Sequence, residues 1–413
     1  MAIAQLPAKG PQAKAVLTTA EATAAIKAAM SAAKTESVSV DEAAGRVLQQ
    51  TVTAERDQPP FDRVTMDGIA IAFDDFEKGN TEFPLQAMQA AGDAALALEG
   101  GSCIEIMTGA SLPAGADCVI PVERTAADNG NVTLEADYSP QRHQFIHPRG
   151  SDHARNARLL NSGARISPMD IAIIASCGLT DVAVSAAPTI RVISTGNELV
   201  PAGKPIEPHQ IRMSNGPAMI ALLDKHGFSN AQHDHIVDET SKLKERIATH
   251  LAEANVLILS GGVSMGKADY VPEVLKELGV EKVFHRISQR PGKPMWFGMG
   301  PDGQAVFALP GNPVSALVCC RQYVIPALNS AAGLLESPPE FASLAQEYVF
   351  KPQLTCFLPV KLVSAVGGQV LAMPVQTNTS GDFTALSGTA GYVELALGTT
   401  TFPAGTGVQL HRW

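Results

Sequence analysis

Between residue 188 and about residue 330, short apolar runs alternate with stretches of helical period, and this alternation restricts the fold more sharply than any other feature of the sequence. The pattern predicts strands at Thr189–Ser194, around His235–Val237, at Val256–Ser260, and near Val283–Ile287, Met295–Gly298 and Ala305–Leu309. The last two meet across the turn Asp302–Gly303. Helices are predicted from Ser214 to near Gly227, over Ser241–Ala254, from Tyr270 to Leu278, and from Val314 to about Leu328. Strand and helix in such alternation imply a parallel sheet with helices on both faces. Ligands of such sheets gather at the carboxyl ends of the strands.

The flanks read differently. Residues 15–50 are alanine-rich with helical periodicity, and Thr18–Ser31 and Asp41–Gln50 are the helices expected there. Over 55–145 short β-like runs (Ile69–Phe73, Cys118–Val122, Val132–Leu134) are separated by GD, GG, PAGAD and DNGN turns. Residues 146–186 turn basic and then apolar, with Ser167 and Pro168 opening a helix through Ile171–Ser176. After Pro338–Pro339 strands and turns continue to Trp413. The chain is thus read as an α/β and β multidomain protein. A helical linker region spans 15–54 and 146–186, and a small β-rich module is inserted at 55–145. A doubly wound α/β domain covers 187–330, and a barrel-like β-domain covers 338–413.

At about 150 residues per domain, 413 residues make two to four domains. A net charge of −10 and a pI near 5.5 argue against nucleic acid or an anionic membrane as the main partner. A bound anion then needs a local basic or backbone-amide pocket. No stretch approaches the roughly 20 apolar residues of a membrane span. The opening MAIAQLPAKGPQAK has no apolar core for a signal peptide, and the six cysteines form no CxxC pair. A reducing cytoplasm is the expected location.

Four polar clusters close the predicted strands: STGNEL (194–199), IVDE (236–239), SGGVSMGKAD (260–269) and LPGNPVS (309–315). Glu198, Asp238 and Asp269 bring carboxylates to one sheet edge, a donor set suited to Mg²⁺. Taken alone, Asp269 reads as a helix cap and Asp238–Glu239 as the start of the next helix. Recurrence at successive strand ends points to a site. Gly261, Gly266 and Lys267 reproduce much of a phosphate-cradling P-loop, but Ala268 stands where a hydroxyl would meet the metal. The loop therefore offers the backbone N–H groups of its glycines, not a nucleotide-binding lysine and serine.

Arg290 and Lys293 flank a Pro-Gly turn and read as an anion clamp or as a solvated hairpin approach. Pro310 and Pro313 make a rigid turn around Asn312, either an anion site or a plain helix start. Upstream, Asp67 lies in a Met-Asp-Gly turn of the kind that closes hairpins, and Thr108 precedes Gly109 in a second loop. The basic run 147–160 reads as a solvated face. His233 and His235 have an HxH spacing with no third and fourth metal ligand apparent.

Taken together and in order, PPFDRVTMDGIA, MTGASLPAGAD, STGNEL, SNGPAM, SGGVSMGKADYV, RPGKP and LPGNPVS resemble the motifs of the MoeA family of molybdopterin molybdenumtransferases, which includes the E-domain of gephyrin. The resemblance spans residues 15–413. It implies an elongated four-part molecule whose α/β domain is MoaB/MogA-like. It also implies a reaction in which molybdate is inserted into adenylylated molybdopterin, with Mg²⁺-dependent release of AMP. Carried over by motif, Asp67, Thr108, Glu198, Asp238 and Asp269 would be catalytic, the last three holding Mg²⁺. Gly261, Gly262, Ser264, Gly266, Arg290, Lys293, Pro310, Asn312, Pro313 and Ser315 would bind substrate. Asp67 and Thr108 would reach across the cleft of a homodimer. Molybdopterin adenylyltransferase and molybdoenzyme chaperones are the protein partners this implies. Other readings are a non-catalytic molybdopterin scaffold, a weakened paralogue, or a molybdopterin adenylyltransferase. The sequence departs from the family pattern at Val64, Ile69, Asn156, Asn197 and Lys267, and has Cys356 and Pro359 where basic residues are expected.

Overall fold

The computed structural model describes residues 16–263 and 270–413. At its centre lies the predicted α/β unit. Its strands are β1 (Ile190–Thr195), β2 (Gln232–Ile236), β3 (Val256–Ser260), β4 (Glu281–His285), β5 (Trp296–Met299) and β6 (Ala305–Leu309). Its helices are α1 (Asn215–Lys225), α2 (Thr240–Glu253), α3 (Val271–Glu277), α4 (Pro313–Cys319) and α5 (Ile325–Ala331). A π-helical segment, Cys320–Val324, joins α4 to α5, so the helix predicted from Val314 to about Leu328 runs on with one change of pitch.

The sheet order is β2-β1-β3-β6-β5-β4. It is not wholly parallel, as the alternation implied. Strand β5 runs against both β6 and β4, because β5 and β6 are joined by the short turn at Asp302–Gly303, and a tight hairpin can only pair antiparallel. Burial on two faces follows from the alternation within each strand. Val256 and Ile258 face α1, the α4–α5 helix and the N-terminal helix Thr19–Ala29. Leu257 and Leu259 face α2 and α3. Both sets are fully or almost fully buried.

The helix Thr19–Ala29 opens with a capping box, in which Thr18 Oγ1 accepts the Glu21 N–H at 3.2 Å and Glu21 accepts the Thr18 N–H at 2.9 Å. The helix expected over Asp41–Gln50 does not form. Only Val40–Glu42 makes a 3₁₀ turn; Gly45 then takes φ 79°, and Val47 and Leu48 pair in extended form with Arg165 and Val184. Burial of Leu48 in the core of this region outweighs the helical propensity of its neighbours. Strand pairs, Thr35–Ser39 with Asp181–Ser185 and Val52–Thr53 with Arg158–Leu160, supply most of the frame around the helix Pro168–Ser176.

Residues 68–134 contain a six-stranded sheet in the order Cys118–Pro121, Gly68–Ile71, Cys103–Ile106, Glu82–Gln89, Asn131–Leu134, Thr125–Asp128. In the C-terminal region Thr355–Ser364 pairs with both Val370–Pro374 and Gly391–Leu395. Glu340–Leu344 and Gly407–Arg412 complete the ring, closing a five-stranded barrel with no free edge among these strands. The pair Gln289–Arg290 adds to its outside against Thr355–Cys356 and ties the barrel to the α/β unit. All six cysteines are free and buried.

Candidate active site

The carboxyl ends of β1, β3 and β6 open into a cavity of about 730 Å³. Glu198, Asp238, Gly261, Gly262, Pro310, Asn312 and Pro313 all line it. Its glycines are required by close backbone approach. Gly261 has φ 105°, and a Cβ there would lie 2.7 Å from the Thr195 carbonyl oxygen. A Cβ on Gly262, at φ 65°, would lie 2.7 Å from Val271. Both positions exclude an ordinary side chain.

The strand ends are held by polar side chains behind the cavity wall. His233 Nε2 meets Ser194 Oγ at 2.9 Å, and His235 Nε2 meets the Gly196 carbonyl at 2.8 Å. The HxH pair therefore braces β1 against β2. Asp234, between them, accepts from His250 at 2.7 Å and Arg246 at 2.6 Å. Burial pushes the Asp234 carboxyl up, but these two hydrogen bonds outweigh it and hold it below the usual range. Asn197 Oδ1 accepts the Asp238 N–H at 3.1 Å, so the amide at this departure fixes the strand-end loop that carries the carboxylate.

Asn215, at the start of α1, was singled out in the sequence only as part of SNGPAM. Its Nδ2 donates to Ser260 Oγ at 2.8 Å and to the Gly311 carbonyl at 2.7 Å, drawing two strand-end loops together. Asn215 Oδ1 and Thr195 Oγ1 are buried at the cavity and have no hydrogen-bond partner among the described residues. Polar atoms left this way suit a polar ligand. Glu198 and Asp238 are the only carboxylates among the described lining residues, with no histidine or cysteine beside them. That oxygen donor set fits a hard cation such as Mg²⁺. Ser264, Gly266, Lys267 and Asp269 lie outside the described residues. Among the described residues, at this cavity and elsewhere, no cluster of three metal-ligating side chains occurs.

A second cavity, of about 550 Å³, lies between the α/β unit and the barrel. Arg290, Lys293, Ser315 and Lys351 line it, and no carboxylate does among the described residues. In a chain of net charge −10 such a wall favours anions. Asn312 and Pro310 belong to both cavities, so the carboxylate-bearing and cationic spaces meet at the LPGNP turn. The barrel side is held there by Asn312 Nδ2, which donates to Ser380 Oγ at 2.7 Å. Lys351 escaped the sequence reading because a lone lysine beyond Pro338–Pro339 carries no spacing signal. Cys356 and Pro359, two of the departures, also line this cavity. Burial pushes the Cys356 thiol up to about 12, so it contributes no negative charge.

Asp67 and Thr108 line neither cavity. They meet each other on the small β-module, where the Thr108 N–H donates to Asp67 Oδ1 at 2.6 Å. That backbone hydrogen bond, with a second from the Thr108 side chain, holds the exposed Asp67 carboxyl below the usual carboxylate range. Asp67–Gly68 does not close a hairpin, contrary to the ordinary reading of an Asp-Gly turn. Gly68 instead begins a strand paired on both sides, where a Cβ would collide with the Ile120 carbonyl. Two further departures are explained nearby: Val64 and Ile69 are buried in the module core. Asn156, at a position where glycine was expected, takes φ 66°, which asparagine tolerates. The basic run is also more than a solvated face. Asp57 accepts from Arg149 Nε at 2.8 Å and from the Arg155 N–H at 2.9 Å, latching the run to the module's entry.

Three family descriptions match successive parts of the chain. Residues 17–178 match the MoeA N-terminal region (domain I and II), 191–330 a probable molybdopterin binding domain, and 342–413 the MoeA C-terminal region (domain IV). A molybdopterin molybdenumtransferase of Synechocystis is 38% identical over 376 residues, covering 91% of this chain and 94% of that protein. One of Bacillus subtilis is 30% identical, covering 91% and 89%. The crystal structure of a molybdopterin biosynthesis MoeA protein from Pyrococcus horikoshii superposes with a TM-score of 0.78 at 30% identity, covering 96% of this chain and 99% of that one.

Proposed function

The chain belongs to the MoeA family of molybdopterin molybdenumtransferases, transferases of molybdenum cofactor biosynthesis, and from that premise we propose that it inserts molybdate into adenylylated molybdopterin with Mg²⁺-dependent release of AMP. The observation that carries the proposal is the meeting of a carboxylate-bearing cavity and a carboxylate-free cationic cavity at Pro310 and Asn312. A nucleotide pyrophosphate and an oxyanion need these two environments side by side.

The Gly261 N–H is spent on the Leu309 carbonyl at 3.2 Å, so the Gly262 N–H is the one that approaches a phosphate of the substrate, in a loop packed so closely on Thr195 and Val271 that neither glycine can carry a side chain. Thr195 Oγ1 and Asn215 Oδ1 orient polar groups of the ligand. Glu198 and Asp238 are the described residues that would hold Mg²⁺, and Asp269 joins them by its place in the sequence. When bound, the cation neutralises charge on the phosphoanhydride. Arg290, Lys293 and Lys351, which line the second cavity together, receive the molybdate oxygens and fix the oxyanion beside the reacting phosphate. Asp67 and Thr108 complete the site of the opposite subunit in a homodimer, a placement in keeping with neither residue being among the described lining of the two cavities of its own chain. The protein works in the cytoplasm, receives its substrate from a molybdopterin adenylyltransferase and passes the product to molybdoenzyme chaperones.

Turnover tests the reading. Adenylylated molybdopterin incubated with the protein should release AMP only when molybdate and Mg²⁺ are both present. Tight binding without AMP release would instead make the protein a scaffold. Formation of the adenylylated substrate from ATP and molybdopterin would make it an adenylyltransferase.

A further inference from the structure

Arg290 ends the short strand Gln289–Arg290 and Lys293 lies in the turn beyond it; both side chains are exposed, and their aim depends on the backbone beneath them. Below that turn lies Gln289, which is 0% exposed. Its carboxamide is used at both ends. Oε1 accepts from the Tyr323 hydroxyl, and Nε2 donates to the Pro291 carbonyl at 3.0 Å while facing Cys319 Sγ at 3.5 Å. The Cys319 thiol in turn donates to the Gly292 carbonyl at 3.7 Å. Gly292 has φ 93°, and a Cβ there would lie 2.6 Å from Gln289 Nε2 and closer still to Cys319.

The carbonyls of Pro291 and Gly292, between the two cations, are thus pinned from inside by Cys319, which ends α4, and by Tyr323 in the π-helical segment. One partner of Gln289 is a hydroxyl that must donate and the other a carbonyl that must accept. A neutral amide meets both demands, and a carboxylate would meet only the first.

We infer that Gln289 is a positioning residue for oxyanion binding. Through Tyr323 and Cys319 it fixes the Pro-Gly turn so that Arg290 and Lys293 present their charges to the cationic cavity. The inference rests on the reading of that cavity as the place where molybdate is received. Charge-assisted contacts depend on direction, so a turn released from Gln289 keeps its charges but loses their convergence.

The test is calorimetric titration of the full-length protein with molybdate, run beside thermal unfolding. Arg290→Ala serves as the control for the cavity. Tyr323→Phe removes a single oxygen from a buried site, Gln289→Met removes the amide at similar volume, and the double variant removes both. Tyr323→Phe should weaken molybdate binding about fivefold or more, since it leaves a buried acceptor unsatisfied and frees the amide to turn. The double variant should regain thermal stability relative to either single change, because its apolar partners fit one another. It should not regain molybdate affinity. Wild-type affinity in Tyr323→Phe, or affinity that returns with stability in the double variant, would reduce Gln289 to a packing residue and overturn the inference. Wild-type affinity in Arg290→Ala, or no binding to the unaltered protein, would overturn the reading of the cavity and this inference with it.

Discussion

The glycine at 261 shows how a single atom decides the site. With φ at 105° and the Thr195 carbonyl 2.7 Å from where a Cβ would stand, Gly261→Ala must move backbone, not the tip of a side chain. We expect a loss of about 2 kcal/mol in chemical denaturation and at least a tenfold drop in AMP release. A variant that keeps wild-type stability and turnover would mean the loops beside Thr195 have slack. His226 gives a prediction in pH. Burial, helped by Arg321, Lys225 and Arg165, lowers its pKa to about 4 from an ordinary value near 6.5. The unfolded chain therefore binds the extra proton first, and the stabilising contribution is complete above about 6.5 and is lost as pH falls toward 4. His226→Gln should remove about 1–2 kcal/mol of the stability lost between pH 7 and pH 5, read from urea midpoints at the two values. Equal pH slopes in both proteins would rule this out. Of the site residues, those at strand ends were legible because small residues and carboxylates recur where a doubly wound sheet binds ligands. Asn215 and Lys351 were not. Asn215 acts through Gly311, far away in sequence, and Lys351 lines the same cavity as the distant Arg290 and Lys293; neither relation leaves a mark in local spacing.

At the scale of elements, strands such as Val256–Ser260 and Ala305–Leu309 match their expected bounds because they are continuous apolar runs buried on both faces. The helix Pro168–Ser176 was equally plain, since Ser167 and Pro168 announce it and Asp170 closes the capping box. Ser167→Ala should cost about 1 kcal/mol without changing the AMP-release rate per folded molecule. A loss of turnover in that variant would place the helix in the catalytic machinery. Misread elements fail for a common reason. Asp41–Gln50 has good helical composition, yet Leu48 is buried only when its backbone is extended against Val184, a partner over a hundred residues away. The direction of β5 likewise depends on a hairpin length, not on residue periodicity. Closure of the C-terminal barrel rests on Thr355–Ser364 pairing with two strands at once, which no single stretch of sequence displays.

For the whole molecule, the cavities and the Asp67–Thr108 turn sit on different sheets of one chain, and the turn lines neither cavity. If metal insertion is carried out by a site assembled from both, two copies of the chain must supply it, and a C₂ dimer then carries two equivalent sites. Co-expression of Asp67→Asn with Glu198→Gln under separate affinity tags isolates heterodimers in which one site has both residues intact and the other has neither. Each homodimeric parent should be folded, dimeric and inactive. AMP release dependent on molybdate and Mg²⁺ should return in the heterodimer to about half the wild-type rate per dimer, with equimolar incorporation of molybdenum into the product. Heterodimers as inactive as their parents, or an unaltered protein that turns over fully as a monomer, would contradict the shared site.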